Sequence, residues 1–111
     1  MKILVVEDQA IESKLAVHIL SAAGHEVRRA GAAEEALAAI RESPPTLILM
    51  DLSLPGTDGL TLARRLKADP ATSRIHIVAV TSYPDRFSKA EALETGCDGY
   101  LVKPLSTRTL R

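Results

Sequence analysis

Three acids, a hydroxyl and an ammonium stand at the ends of apolar runs. Asp51 closes Leu47-Ile48-Leu49-Met50, and Glu7 and Asp8 follow Ile3-Leu4-Val5-Val6. Thr81 follows Ile75-His76-Ile77-Val78-Ala79-Val80, and Lys103 follows Tyr100-Leu101-Val102. A carboxylate at the end of an inner strand costs free energy unless it is paired or put to use. Carboxylates are the ligands a hard divalent cation selects, and an ionised one is a nucleophile that needs no general base. A lysine ammonium and a threonine hydroxyl donate hydrogen bonds to an anion. Each residue alone has an ordinary reading. An acid pair is favoured at a helix N-terminus, an aspartate or threonine caps the next segment, and a strand-end lysine is solvated. Four strand ends carrying the types that one reaction needs point instead to a shared site.

The elements that must position these residues alternate along the chain. Residues 2–6 read as a short β-branched strand. Ile11 to Ala22 carries a helical stripe of Ile11, Leu15, Ala16, Val17, Ile19 and Leu20, stopped by Gly24. His25 to Arg29 is short and polar, an edge strand. Ala32 to Arg41 is helical, with Ala36, Leu37 and Ile40 on one face, and Pro44-Pro45 breaks it. The strand Leu47–Met50 leads through a loop to a helix from Thr57 to Ala68, with Leu60, Leu62, Ala63 and Leu66. A strand over 75–80, a helix over 86–94 ended by Gly96, and a strand over 99–102 follow. The order βαβαβαβαβ predicts an α/β fold, a parallel sheet with helices on both faces. Inner parallel strands are continuous apolar runs, and sites in such sheets lie beyond the C-terminal strand ends.

Composition describes one ordinary domain, residues 1–111, with 46% apolar and 25% charged residues. Acids and bases cancel at 14 each, so no basic excess points to nucleic acid. Aromatics at 3% are too few to stack bases. The single cysteine, Cys97, excludes a disulfide framework; beside Gly96 it reads as a small packed residue. His18, His25 and His76 lack metal-ligand spacing. No apolar run approaches the ~20 residues of a membrane span, and the chain opens directly in a strand. The expectation is a cytoplasmic domain without membrane or direct nucleic-acid partners.

The set Glu7-Asp8, Asp51, Pro55 with Asp58-Gly59, Thr81, Tyr100 and Lys103-Pro104 resembles the receiver domain of two-component response regulators, over essentially the whole chain. The run Gly96-Cys97-Asp98-Gly99-Tyr100, with Lys103-Pro104, resembles especially the short single-domain regulators of the cell-fate type. The resemblance implies a flavodoxin-like doubly wound sheet of five parallel strands in the order 2-1-3-4-5. It implies a phospho-acceptor switch, in which a histidine kinase or histidine phosphotransfer protein passes a phosphoryl group to Asp51 with Mg²⁺ as cofactor. Asp8 and Asp51 bind the metal directly, Glu7 through water, and Ser53 by its backbone carbonyl. Lys103 and Thr81 then meet the phosphoryl oxygens. Thr81 and Tyr100 form the switch, and the helix at about 85–94 with the strand at 99–102 forms the output face. Ser53 and Tyr83, each two residues past a site residue, tune the phosphate lifetime. Such a protein assists its own phosphorylation and dephosphorylation but is a signalling element.

Rival readings meet the same residues. A flavin binder needs a phosphate-cradling loop where Glu7-Asp8-Gln9 stands. A haloacid-dehalogenase-like phosphatase needs a second acid where Ser53 stands. A phosphorylation-independent interaction module would have lost a member of the set. At the other end, Ser106 suits an N-cap and Leu110 a first core contact. A fifth helix is therefore expected to be truncated or absent. On this reading the natural protein continues past Arg111, or a partner covers the face, with a dimer through it or through the output face as one form.

Overall fold

Ile3 to Val6 and Ile48 to Met50 are buried without a break, because alternate side chains feed two cores, one on each face of the sheet. The structure, a computed structural model, describes residues 1–105. Its elements are β1 (Lys2–Val6), α1 (Ala10–Ala22), β2 (Glu26–Ala30), α2 (Ala33–Glu42), β3 (Leu47–Asp51), α3 (Gly59–Ala68), β4 (His76–Thr81), α4 (Lys89–Thr95) and β5 (Gly99–Val102). The strands form one sheet in the order β2-β1-β3-β4-β5, every pair parallel. On one face Leu4, Val6, Ile48, Met50, Ile77 and Ala79 pack with Ala36 and Ile40 of α2, Leu62 and Leu66 of α3, and Ala92 of α4. On the other, Ile3, Val5, Leu49 and Val80 pack with Ala16, Ile19 and Leu20 of α1. Among the described residues, no helix is long and apolar enough to cross a membrane.

The strand read at His25–Arg29 is indeed the sheet edge, one residue later. The largest boundary corrections concern α3 and α4. The helix expected from Thr57 begins at Gly59, because the Asp58 carboxylate accepts the Thr61 N–H at 2.8 Å and caps it. The helix expected from residue 86 begins at Lys89. Ser88 caps it by accepting the Glu91 N–H at 3.1 Å, while the Tyr83 carbonyl gathers the N–H groups of Arg86 and Phe87 in a separate turn. The helical side of the expected output face is correspondingly shorter. Gly96 ends α4 at φ +115°, a left-handed conformation that favours glycine. Thr81 is the last residue of β4 and Asp51 the last of β3, rather than the residues after them. The fifth helix expected from Ser106 lies outside the described residues.

Candidate functional site

Strand register assembles the site. Val6 of β1 pairs with Met50 of β3, so Glu7 and Asp51 each follow a paired residue. Asp51 pairs with Val80, and Thr81 with Val102, which places Lys103 one step beyond. One carboxylate oxygen from each of Glu7, Asp8 and Asp51 lies within 4.8 Å of the others. Asp51 and Glu7 are 5% and 7% exposed, whereas Asp8 faces solvent.

Hydrogen bonds orient the Asp51 carboxylate. Asp51 Oδ1 accepts the Ser53 N–H at 2.9 Å, and Oδ2 accepts from Lys103 Nζ at 3.3 Å. Lys103 also donates to Glu7 Oε1 and to Glu12 Oε2, each at 2.5 Å. Burial, then the nearby Asp51 carboxylate, pushes the Glu7 carboxyl up to about 9, with Lys103 pulling the other way. Burial works against the Lys103 ammonium, but Glu12, Glu7 and Asp51 outweigh it and hold its pKa above the ordinary lysine value. Lys103, foremost, holds the Glu12 carboxyl below its ordinary value.

The pocket is rich in oxygen donors. Two of its acids are buried and one opens to water, which suits a hard cation that keeps several waters. The Ser53 hydroxyl oxygen is buried without a hydrogen-bond partner among the described residues, on the residue whose N–H holds Asp51. These observations fit Mg²⁺.

The remaining residues singled out in the sequence are in different states. Thr81 is fully buried, and its hydroxyl oxygen accepts the Tyr83 N–H at 2.8 Å. Tyr100 is half-buried against the α2–α4 core, and its hydroxyl donates to the Phe87 carbonyl at 2.5 Å. Tyr83 is 57% exposed. Cys97 is buried, and burial followed by Asp98 pushes its thiol up to about 11, as suits a packed residue. Glu12 is not among the residues that the sequence marks at a strand end. An acid in the first turn of a helix after an acid pair is a weak signal, because such acids are common there for the dipole alone.

The sequence profile of the response regulator receiver domain matches residues 3–111. The phosphate regulon transcriptional regulatory protein PhoB of Pseudomonas aeruginosa is 42% identical over 97% of this chain and 47% of its own length. The chain thus spans about half the length of that relative. The polar-differentiation response regulator DivK of Brucella ovis is 36% identical over 94% of this chain and 85% of its own. Among solved structures, a putative response regulator from Chloroflexus aurantiacus superposes with TM-score 0.92 at 36% identity, covering 98% of this chain and 89% of that one. The Mn²⁺-bound form of the response regulator Rcp1 superposes with TM-score 0.85 at 28% identity, covering 98% and 85%.

Proposed function

The chain belongs to the response regulator receiver domain family, phosphorylation-based signalling switches of two-component systems, and from that premise we propose that Asp51 is its phosphoacceptor. The observation that carries this is the placement of Asp51: buried at the end of β3, clustered with two other acids and faced by Lys103 at 3.3 Å. The donor is a phosphohistidine of a histidine kinase or phosphotransfer protein, the partners with which receiver domains interact.

An Asp51 carboxylate oxygen attacks phosphorus, an O–P bond forms, and the P–N bond breaks with its electron pair leaving on the imidazole nitrogen. A carboxylate nucleophile needs no general base. Lys103 supplies positive charge for the phosphoryl oxygens. Asp8 and Asp51 directly, Glu7 through water and Ser53 by its carbonyl would hold Mg²⁺, which neutralises charge between an anionic donor and the acidic pocket. The Mn²⁺-bound form of Rcp1 supports a divalent cation in this fold.

The phosphoryl group then draws the Thr81 hydroxyl away from the Tyr83 N–H, and the shift passes through Tyr100 to the α4–β5 face. Ser53 and Tyr83 set the lifetime of the phosphorylated form. Of the two, Ser53 has the larger effect, because its hydroxyl is buried beside the acceptor while Tyr83 stands in solvent. Residues 1–111 act as one receiver domain and assist both phosphorylation and dephosphorylation of Asp51.

The test is labelling by acetyl phosphate with Mg²⁺, read by intact mass. The native chain is expected to gain one phosphate, and Asp51→Asn to gain none while keeping its circular dichroism spectrum. One phosphate on the asparagine variant at native stoichiometry sinks the assignment. An unlabelled native chain would favour an interaction module that works without phosphate.

A further inference from the structure

Lys103 is engaged by an acid from outside the acidic pocket. Its ammonium carries three N–H donors, and three acid side chains take them: Glu7 and Glu12 at 2.5 Å and Asp51 at 3.3 Å. A further acceptor, such as an oxygen of a phosphoryl group on Asp51, is served only when one of these lets go.

The three partners are not equivalent. Glu7 and Asp51 come from strand ends, have side chains 6% and 5% exposed, and share the acid cluster with Asp8. Glu12 comes from the first turn of α1, lies outside that cluster, and has a side chain 42% exposed. Its carboxylate is the one that water can receive at least cost, because a released charge that is rehydrated pays little desolvation. We propose that Glu12 is a positioning residue that competes with the phosphorylated acceptor for Lys103. Phosphorylation of Asp51 breaks the Glu12–Lys103 pair, and the strength of that pair sets how readily the switch is thrown. The inference rests on Asp51 as the phosphoacceptor.

A plainer role for Glu12 is available, since an acid in the first turn of α1 complements the helix dipole without any lysine. The experiment separates the two. Mg²⁺-dependent binding of beryllofluoride, a phosphoryl mimic, is measured by calorimetry for the native chain, Glu12→Gln, Lys103→Met and the double variant. Glu12→Gln is expected to bind about three- to tenfold tighter than native, the scale of freeing a half-exposed ion pair. In the Lys103→Met background the same change is expected to shift affinity by less than about twofold, as for independent groups in a double-mutant cycle. Unchanged or weaker binding by Glu12→Gln overturns the proposal, and so does an equal gain without the lysine.

The carboxyl ¹³C resonance of Glu12 gives a second reading that holds even where Lys103→Met binds too weakly to measure. On beryllofluoride binding to the native chain it is expected to move to its position in the Lys103→Met variant. A resonance that stays put means that Lys103 keeps Glu12, and the proposal fails. A native chain that binds no beryllofluoride at all contradicts the acceptor assignment itself, and the role of Glu12 falls with it.

Discussion

Gly59 leaves no room for a side chain beside Asp51. A β-carbon at Gly59 would stand 2.3 Å from the Asp51 carbonyl oxygen and 2.8 Å from the Leu52 Cα. The Gly59 N–H donates to the Leu52 carbonyl at 3.1 Å, so the start of α3 is drawn against the end of β3. The Asp58-Gly59 pair therefore does two jobs: Asp58 caps the helix, and Gly59 permits the close approach that fixes the backbone of Asp51.

Gly59→Ala is accordingly expected to destabilise the fold by about 2 kcal/mol, within the usual cost of overpacking and larger than the ~1 kcal/mol that alanine gains in helix propensity. The clashing atoms are backbone, so no side chain can rotate away. Urea unfolding of the two proteins measures this, and equal midpoints would show that α3 slides without penalty.

Asp8→Ala removes a solvent-facing acid that the fold does not rely on. Folding stability without metal is expected to change by less than ~0.5 kcal/mol. Mg²⁺ affinity is expected to fall by at least about tenfold, since even the partners behind a metal's ligands are worth that much. Glu7→Gln is expected to weaken Mg²⁺ less. Calorimetric titration with Mg²⁺ decides, and an unchanged affinity for Asp8→Ala refutes the acidic pocket as the metal site.

Lys103→Arg keeps the charge but not the shape. The side chain is 10% exposed and encircled by three acid side chains, where a compact ammonium fits and a planar fork does not. Asp51 is expected to remain phosphorylatable, while the response at Tyr100 and Phe87 falls. Amide shifts of those two residues on adding beryllofluoride report the coupling. A native-sized response from the arginine variant would leave Lys103 with no role beyond its charge.

Asp98 ties α3 to the start of β4, and the tie depends on pH. Its carboxylate accepts from the Ile77 N–H at 2.9 Å and from Lys67 Nζ at 3.1 Å, with His76 Nδ1 at 3.8 Å. Burial would raise its carboxyl, but Ile77, Lys67 and His76 outweigh burial and hold it below the ordinary value. A depressed folded pKa contributes stability that is present above the unfolded value and lost as pH falls through the folded one. Asp98→Asn is thus expected to cost a constant amount above about pH 5, with the difference shrinking below about pH 4. Urea midpoints of the two proteins across pH 2–7 trace it. A difference that persists unchanged at the acid end would mean that the charge of Asp98 contributes nothing.

Much of the fold and the centre of the site could be read along the chain. Unbroken apolar runs mark strands buried on both faces, so the residues closing them had to gather at one edge of the sheet. Glu7, Asp8, Asp51 and Lys103 are found together there. The start of α4 at Lys89 is legible too, since Ser88 and Glu91 stand at capping-box spacing; it lies three residues past the start expected at residue 86. Other relationships left no mark. Glu12 and Lys103 are 91 residues apart, and their contact exists only because α1 passes the ends of β1 and β5. The 2.3 Å approach at Gly59 reflects how α3 docks on β3, and the hold of Asp98 on Lys67 reflects how β5 registers with β4. Periodicity and end residues report interactions within a few positions along the backbone. Which charge meets which across the sheet edge depends on strand register and helix docking, and those are settled by packing the whole core at once.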